Sequence, residues 1–592
     1  MQTVLPFCFM AHSSFDPSVP STLHDLPTPA IVAQRAVRRL PRLALLLLCT
    51  AYVLAGFVGR GPWKNVDIAS FGYMAELAHG QAAWLSPTLL GLPPEVDALL
   101  PYWLGAVAQW LAPGFLTPDF AVRVPFALLL ALTFAATWHG VYYLARTPLA
   151  QPVAFAFGGE ARPADYARAM ADGGLLALIA CLGLAQLSHE TTPALVALCG
   201  TALLFYGVAA LPYRAVASLA GAAAGLFSLA LSGAPGIAVL FGLGSALAAL
   251  RSPAEDAVRA GRLRRGARVL AGLTVVAAAL ALALDLWRWR LHVAADPDEW
   301  TALGRLLLWF TWPVWPLALW TLWRWRHQLT VSRPGLHLAV PLWFSAVALA
   351  TTLLTASSDR SLLLGLPALA ALAAFALPTL SRSVSALIDW FTLLFFTGCA
   401  FIIWVVWIAM QTGVPQQPAA NVSRLAPGFE PSFGLVAFIA ALAATLSWAW
   451  LVRWRVGRHR DAIWKTLVLP AGGAALCWLL LMTLWLPLLD FARSYAPQVQ
   501  RVVSIIGHPA CVEAYGLTRA QIAAFQYHGQ LALRTAGANP AAPACPWLIV
   551  DSDGEATLAA VVDLSQWQFR GRFRRPSDNN DDVLLFQRAA TP

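Results

Sequence analysis

The sequence predicts an all-α polytopic membrane protein of about 13 transmembrane helices with a small C-terminal α/β domain. Three observations carry that expectation. The 592 residues are 59% hydrophobic and only 12% charged, more apolar surface than a water-soluble chain of this size can hide. Apolar runs repeatedly reach the ~20 residues that cross a bilayer. After Leu489 the hydropathy falls and gives way to short strand-like and helix-like stretches.

In chain order, the first ~34 residues of the tail 1–40 are polar and Pro-rich and lack the compact apolar stretch of a cleavable signal near Met1. They are expected to form a disordered cytoplasmic tail, with Met10 as an alternative start. Apolar runs then fall near 41–59, 121–145, 173–188, 193–211, 215–232, 234–250, 268–286, 303–323, 337–355, 361–380, 386–410, 433–452 and 464–489. They make one transmembrane domain, 41–490, which includes a long outer loop at 60–120. Arg35, Arg38, Arg39 and Arg42 precede the first run. Arg251, Arg259, Arg262, Arg264, Arg265 and Arg268 lie in one short loop, and Arg453, Arg455, Arg458, Arg460 and Lys465 in another. Positive loops face the cytoplasm, so the N-terminus is expected inside and, after an odd number of spans, residues 491–592 in the periplasm of an inner membrane. The net charge of +10 is concentrated in such loops, which favours contact with acidic phospholipid over nucleic acid.

Three outer segments, 60–120, 287–302 and 411–432, are more than connectors. In the first, Ile68, Phe71, Ala75 and Ala78 recur at helical spacing and predict a helix lying in the interface, ended by Gly80. A second short helix is expected near 99–111. In the C-terminal domain, "RVVSIIG", "PWLIVD" and "DVLLFQR" predict strands, and "TRAQIAAFQYHG" a helix capped by Thr518. Cys49, Cys181, Cys199, Cys399 and Cys477 fall in spans and are expected to pack. Cys511 and Cys545 are the pair in the outer domain, and an oxidising periplasm favours a disulfide between them. "DSDG" and "DNNDD" are rich in calcium-ligand residue types but lack the spacing of a known loop, and predict turns.

"GPWKNVD", "LPYWLGAVAQWLAPGFLTPDFAVRVPFALLLALT", "GLFSLALSGAPGIAVL", "LLWFTWPVWPLALW" and "SSDRSLLLGLPALAAL" occur in that order between about residues 40 and 490. Together they resemble landmarks of the membrane-embedded GT-C glycosyltransferases, in the branch of the bacterial aminoarabinose (lipid A) transferase and the protein O-mannosyltransferases. The resemblance implies a GT-C fold. It also implies inverting transfer of a sugar from a polyprenyl-phosphate, such as undecaprenyl phosphate, to a lipid or glycan acceptor, lipid A among them, on the periplasmic face.

The chemistry asks for cations at the phosphate and a carboxylate near the anomeric carbon. Asp67 stands where the resemblance places the acidic residue of the first outer loop, to orient a nucleophile or hold a divalent cation; helix capping is the competing role. Ile68 stands where the family has its second acidic residue, which weakens a paired-carboxylate metal site; a divalent cation stays open, and no other cofactor is expected. Arg360 matches a basic residue before a "YLLP"-like run and, with Lys64 or Arg60, is expected to hold the donor phosphate. Lys64 and Arg60 would equally serve as interfacial anchors. Glu95, Asp97, His189, Glu190 and Asp359 are further cavity candidates or solvated charges. Two other classes stay open: a flippase or transporter of lipid-linked sugars, and an inactive GT-C-like assembly partner. A transporter would carry its charges deep in spans, whereas these gather on outer loops.

Overall fold

A computed structural model describes residues 28–63, 65–254, 256–288, 291–330, 333–356, 358–456, 462–537, 545–576 and 581–589. Lys64 and most of the expected N-terminal tail lie outside these residues. The part of that tail that is described, 28–40, is packed. Ala30, Val32 and Val37 are buried, and Gln34 bonds to Gly159, Arg162 and Asp165.

The first half of the chain contributes α1 (Arg42–Phe57), α2 (Val66–Ala78), α3 (Leu100–Leu111), α4 (Pro118–Ala145), α5 (Pro163–Ala180), α6 (Leu184–Leu187), α7 (Pro193–Ala210), α8 (Ala215–Leu231), α9 (Pro235–Arg251) and α10 (Ala257–Ala283). The second half adds α11 (Pro297–Phe310), α12 (Val314–Arg324), α13 (Arg326–Leu329), α14 (Leu336–Leu354), α15 (Ser358–Leu363), α16 (Leu366–Ala376), α17 (Arg382–Thr412), α18 (Gln416–Leu425), α19 (Leu435–Val456), α20 (Val468–Leu481) and α21 (Leu486–Arg493). Each expected apolar run falls on one of these helices or a broken pair of them. By length and composition, 7 described helices suffice to cross a membrane, or up to 8 if α11 and α12, bent by 80°, form one span. α1, α8, α9 and the helix beginning at Leu366 are shorter apolar helices. The core lies along α5, α7 and α16, which are buried on nearly every side and are built largely of Ala, Gly and Leu. Small residues let helices approach closely where lipid supplies no hydrophobic drive between them.

The C-terminal domain carries α22 (Ala496–Ile506), α23 (Arg519–Tyr527), α24 (Glu555–Leu558) and a 5-stranded sheet in the order β2-β1-β3-β5-β4. The strands are β1 (Val512–Tyr515), β2 (Leu533–Thr535), β3 (Trp547–Asp551), β4 (Trp567–Arg574) and β5 (Asp582–Arg588). β1 runs parallel to β2 and β3, while β5 is antiparallel to β3 and β4. "PWLIVD" and "DVLLFQR" form β3 and β5. The Thr518 cap is a full capping box with Gln521. Cys511 and Cys545 are joined by a disulfide with Cα atoms 5.3 Å apart.

Two local expectations are corrected. "RVVSIIG" lies in α22, not in a strand: Val499, Val502 and Ile506 are buried at helical spacing, and that face outweighs the β preference of the valines and isoleucines. α2 does not lie in a lipid interface. It is enclosed between α3 and α23 and buries Ile68, Phe71, Tyr73, Met74 and Leu77 around its girth. Gly72 permits that contact, because a Cβ there would meet the Ala523 Cβ at 2.7 Å. α3 does keep an exposed apolar side, with Val107, Trp110 and Leu111 open.

Candidate active site

The stretch after α1 turns at Gly59, whose φ of +81° lies in the region that favours glycine. Arg60 then points inward. Its Nη2 donates to Asp67 Oδ2 at 3.1 Å and to the His189 carbonyl at 2.6 Å. The Trp63 amide donates to the same Asp67 oxygen at 3.1 Å. Asp67 Oδ1 accepts from the Thr191 amide at 2.8 Å and the Thr191 hydroxyl at 2.7 Å. Asp67 is only 1% exposed, so this donor set compensates its lost hydration. A carboxylate has about four acceptor positions, and four donors reach this one. Asp67 therefore locks the loop before α2 to the turn before α7. It is not a side-chain cap of α2, whose N-cap is Asn65.

Trp63 lies beside Arg60, whose guanidinium carbon is 4.5 Å from its ring centroid, and Arg493, at 5.3 Å. Asp490 fixes this loop from the far end of the chain: its Oδ1 accepts from the Gly61 amide and from Trp63 Nε1, both at 2.9 Å. No ion pair with a described residue holds Arg493.

Glu190, 4% exposed, sits in the turn between α6 and α7. Oε1 accepts from Gln186 at 3.3 Å, and Oε2 lies 3.7 Å from Arg360 Nη2. Burial raises its carboxyl pKa and neighbouring Asp67 raises it further, against the opposing pull of Arg360 and Arg60. The Nε–H groups of Arg60 and Arg360 are buried without an acceptor among the described residues. The structure thus brings Arg60, Asp67, Glu190, Arg360 and Arg493 into one neighbourhood, with fewer bonds on Glu190 than on Asp67.

The other candidates lie elsewhere. His189 turns its ring away into the bundle, against Tyr52, Phe57 and Trp478, with its nitrogens on the Ala185 and Tyr52 carbonyls. A Cβ at Gly56 would meet that ring at 2.2 Å, so α1 needs glycine here. His189 contributes its carbonyl, not its imidazole. Asp97 pairs with Arg288 at 3.4 Å. Asp359 accepts from the following amide of Arg360. Glu95 lies 3.8 Å from Arg519 of the C-terminal domain and lines a separate cavity. Among the described residues, no three His, Cys, Asp or Glu side chains gather as a metal ion requires. Sequence reading missed Trp63, Thr191, Asp490 and Arg493. The charges of "LLDFARSY" at the end of the last apolar run were the available signal for the last two.

The C-terminal domain covers this end of the bundle. Gln526 donates to Glu76 at 2.8 Å, Tyr495 to Asn65 at 2.9 Å, and Arg519 to the Pro93 carbonyl at 2.7 Å. Arg123, beside Arg60 and Asp67, bonds to Asp119 at 2.9 Å, and Asp119 meets the Tyr527 hydroxyl.

No family model matches the sequence, and no curated protein matches it. Solved structures do. The apo structure of ArnT from Cupriavidus metallidurans is similar with a TM-score of 0.55 and 15% identity, covering 92% of this chain and 98% of that one. The structure of the same protein bound to undecaprenyl phosphate gives a TM-score of 0.57 and 14% identity, covering 93% and 99%. Over nearly its whole length, this chain shares the fold of ArnT.

Proposed function

We propose that the protein is an inner-membrane glycosyltransferase that moves a sugar from a polyprenyl-phosphate donor to a lipid or glycan acceptor on the periplasmic face, with inversion. One observation carries the reading: three arginines, Arg60, Arg360 and Arg493, gather around two buried carboxylates, Asp67 and Glu190, at the bundle end that the C-terminal domain covers. The ArnT structure with bound undecaprenyl phosphate supports a polyprenyl-phosphate ligand for this fold.

In this reading Arg360 and Arg493 receive the donor phosphate, because Arg60 is already committed to Asp67 and the His189 carbonyl. Asp67 is the positioning residue that fixes Arg60 and the turn carrying Glu190. Glu190, with its raised pKa, is the better proton acceptor. The acceptor oxygen attacks the anomeric carbon as the bond from that carbon to the phosphate oxygen breaks. The bonding pair leaves on the polyprenyl phosphate, between Arg360 and Arg493. The proton of an acceptor hydroxyl passes to Glu190.

Binding of undecaprenyl phosphate to the purified protein in lipid tests the donor half. Wild type should bind, and Arg360→Ala should weaken binding by about tenfold, the scale of one charge-assisted contact. A wild-type protein that does not bind undecaprenyl phosphate would overturn the reading.

A further inference from the structure

A cavity of about 280 Å³ lies between the first outer loop and the C-terminal domain, and the proposed chemistry does not use it. Its walls come from opposite ends of the chain. Asn65, Ser70 and Glu95 belong to one side, and Arg519, Asp551, Asp553 and Asp581 to the other. Tyr73, Tyr102 and Tyr495 add aromatic surface. The cavity therefore exists only with the domain docked. It also adjoins the cluster through the chain: Asn65 and Val66 directly precede Asp67, and Pro193 follows Thr191 by two positions.

The charge of this wall is one-sided. Glu95, Asp551, Asp553 and Asp581 face Arg519 as the lining cation. Several of these groups are fixed before any ligand arrives. Gln521 Nε2 donates to Asp551 Oδ1 at 2.9 Å and to Asp581 Oδ1 at 3.0 Å, while Arg575 holds the other Asp581 oxygen at 3.3 Å. Arg519 is oriented by the Pro93 carbonyl at 2.7 Å. Asp553 is exposed, and the Glu95 side chain is 62% exposed, so both can meet a ligand at the mouth. Among the described residues, the carboxylates do not converge as a metal site would. Preset acceptors, hydroxyls and aromatic faces in a cavity near the ~300 Å³ lower end of ligand sites suit one or two sugar rings. They do not suit a phosphate, which would meet like charge.

We propose that this cavity is the acceptor site, and that it takes a neutral or cationic sugar unit whose nucleophile is a hydroxyl, not a phosphate. The proposal rests on the glycosyltransferase reading and narrows its acceptor class. It also gives the C-terminal domain a task, since half of the recognition surface is its own.

The test uses the full chain in lipid nanodiscs and three probes: a glucosamine disaccharide, its N-acetylated neutral form, and its phosphorylated form. Ligand-observed NMR titration measures binding of each to wild type and to Glu95→Gln/Asp553→Asn. The cationic probe should bind at least as well as the neutral one, and the phosphorylated probe about tenfold or more weakly. The double variant should lose about tenfold in affinity for the cationic probe and little for the neutral one. Equal or tighter binding of the phosphorylated probe, or an unchanged cationic affinity in the double variant, would overturn the proposal. Undecaprenyl phosphate binding, measured on the same samples, separates the two readings. Donor binding without the expected probe pattern rejects the cavity assignment alone. The probe pattern without donor binding rejects the transferase reading and the acceptor role with it, and leaves only a sugar-binding cavity.

Discussion

At the bundle end under the C-terminal domain, Arg60, Asp67 and Glu190 are 5%, 1% and 4% exposed; Arg60 bonds Asp67, and Glu190 lies against Gln186 and Arg360. At the opposite end, Arg251, Arg262, Arg264, Arg265 and Arg268 are open to solvent, and Arg146 and Arg259 rest on Tyr213. The two ends hold their charges in opposite ways. The exposed arginines keep their hydration, so each acts alone. The buried groups have exchanged hydration for one another, so removing one leaves its partners stranded. Such an arrangement is retained at cost in a membrane protein where ligand chemistry needs it.

The sharpest break in this comparison is Asp67→Asn. It leaves Arg60 buried without its counter-charge, and should cost about 3–5 kcal/mol of stability and abolish transfer. Thermal unfolding of the purified variant measures the first effect. A loss below about 1 kcal/mol would mean that Asp67 is not the keystone its four donors indicate. Next in size is the disulfide. It closes a 34-residue separation, so Cys511→Ser/Cys545→Ser should lower the stability of the C-terminal domain by roughly 2–4 kcal/mol. Protease sensitivity of that domain in membranes checks it, and unchanged resistance would show the domain held by its docking contacts alone. The smallest expected effect sits at the far end. Arg264→Gln/Arg265→Gln should change stability by no more than about 0.5 kcal/mol and leave transfer intact. A large loss there would erase the contrast between the ends. Reporter fusions after residues 260 and 495 should fall on opposite sides of the membrane, as the positive loops predict, and fusions on one side would contradict that expectation.

Much of this arrangement was legible from residue patterns, and the limits have physical reasons. Apolar runs located the helices, since any membrane-crossing helix must be continuously apolar. The Thr518 cap and the strands at "PWLIVD" and "DVLLFQR" are local signals and were read directly. "RVVSIIG" misled because β-branched residues read as strand unless the packing partner is known. α2 read as interfacial because α23, which covers it, is some 450 residues away, as the Glu76–Gln526 bond shows. Asp67 and Arg360 were singled out from the sequence and lie in one neighbourhood, but their bonding was invisible. What saturates Asp67 is Thr191, 124 positions distant, and what fixes the Arg60 loop is Asp490, 429 positions from Gly61. His189 stood next to Glu190 in sequence, yet the turn sends one side chain into the bundle and the other toward Arg360.

In the proposed reaction, Glu190 accepts the proton as the sugar is transferred beside Arg360 and Arg493. The direct measurement is the pH dependence of transfer by wild type and Glu190→Gln, in liposomes loaded with polyprenyl-phosphate sugar and acceptor from the native membrane. A base works only when deprotonated, and the Glu190 pKa is raised. Wild-type transfer should therefore fall as pH drops through a value above the ordinary glutamate range near ~4.3. Glu190→Gln should bind undecaprenyl phosphate normally, lose about 100-fold in transfer and lack that acid limb. Near wild-type transfer by Glu190→Gln, with the same pH profile, would contradict the account.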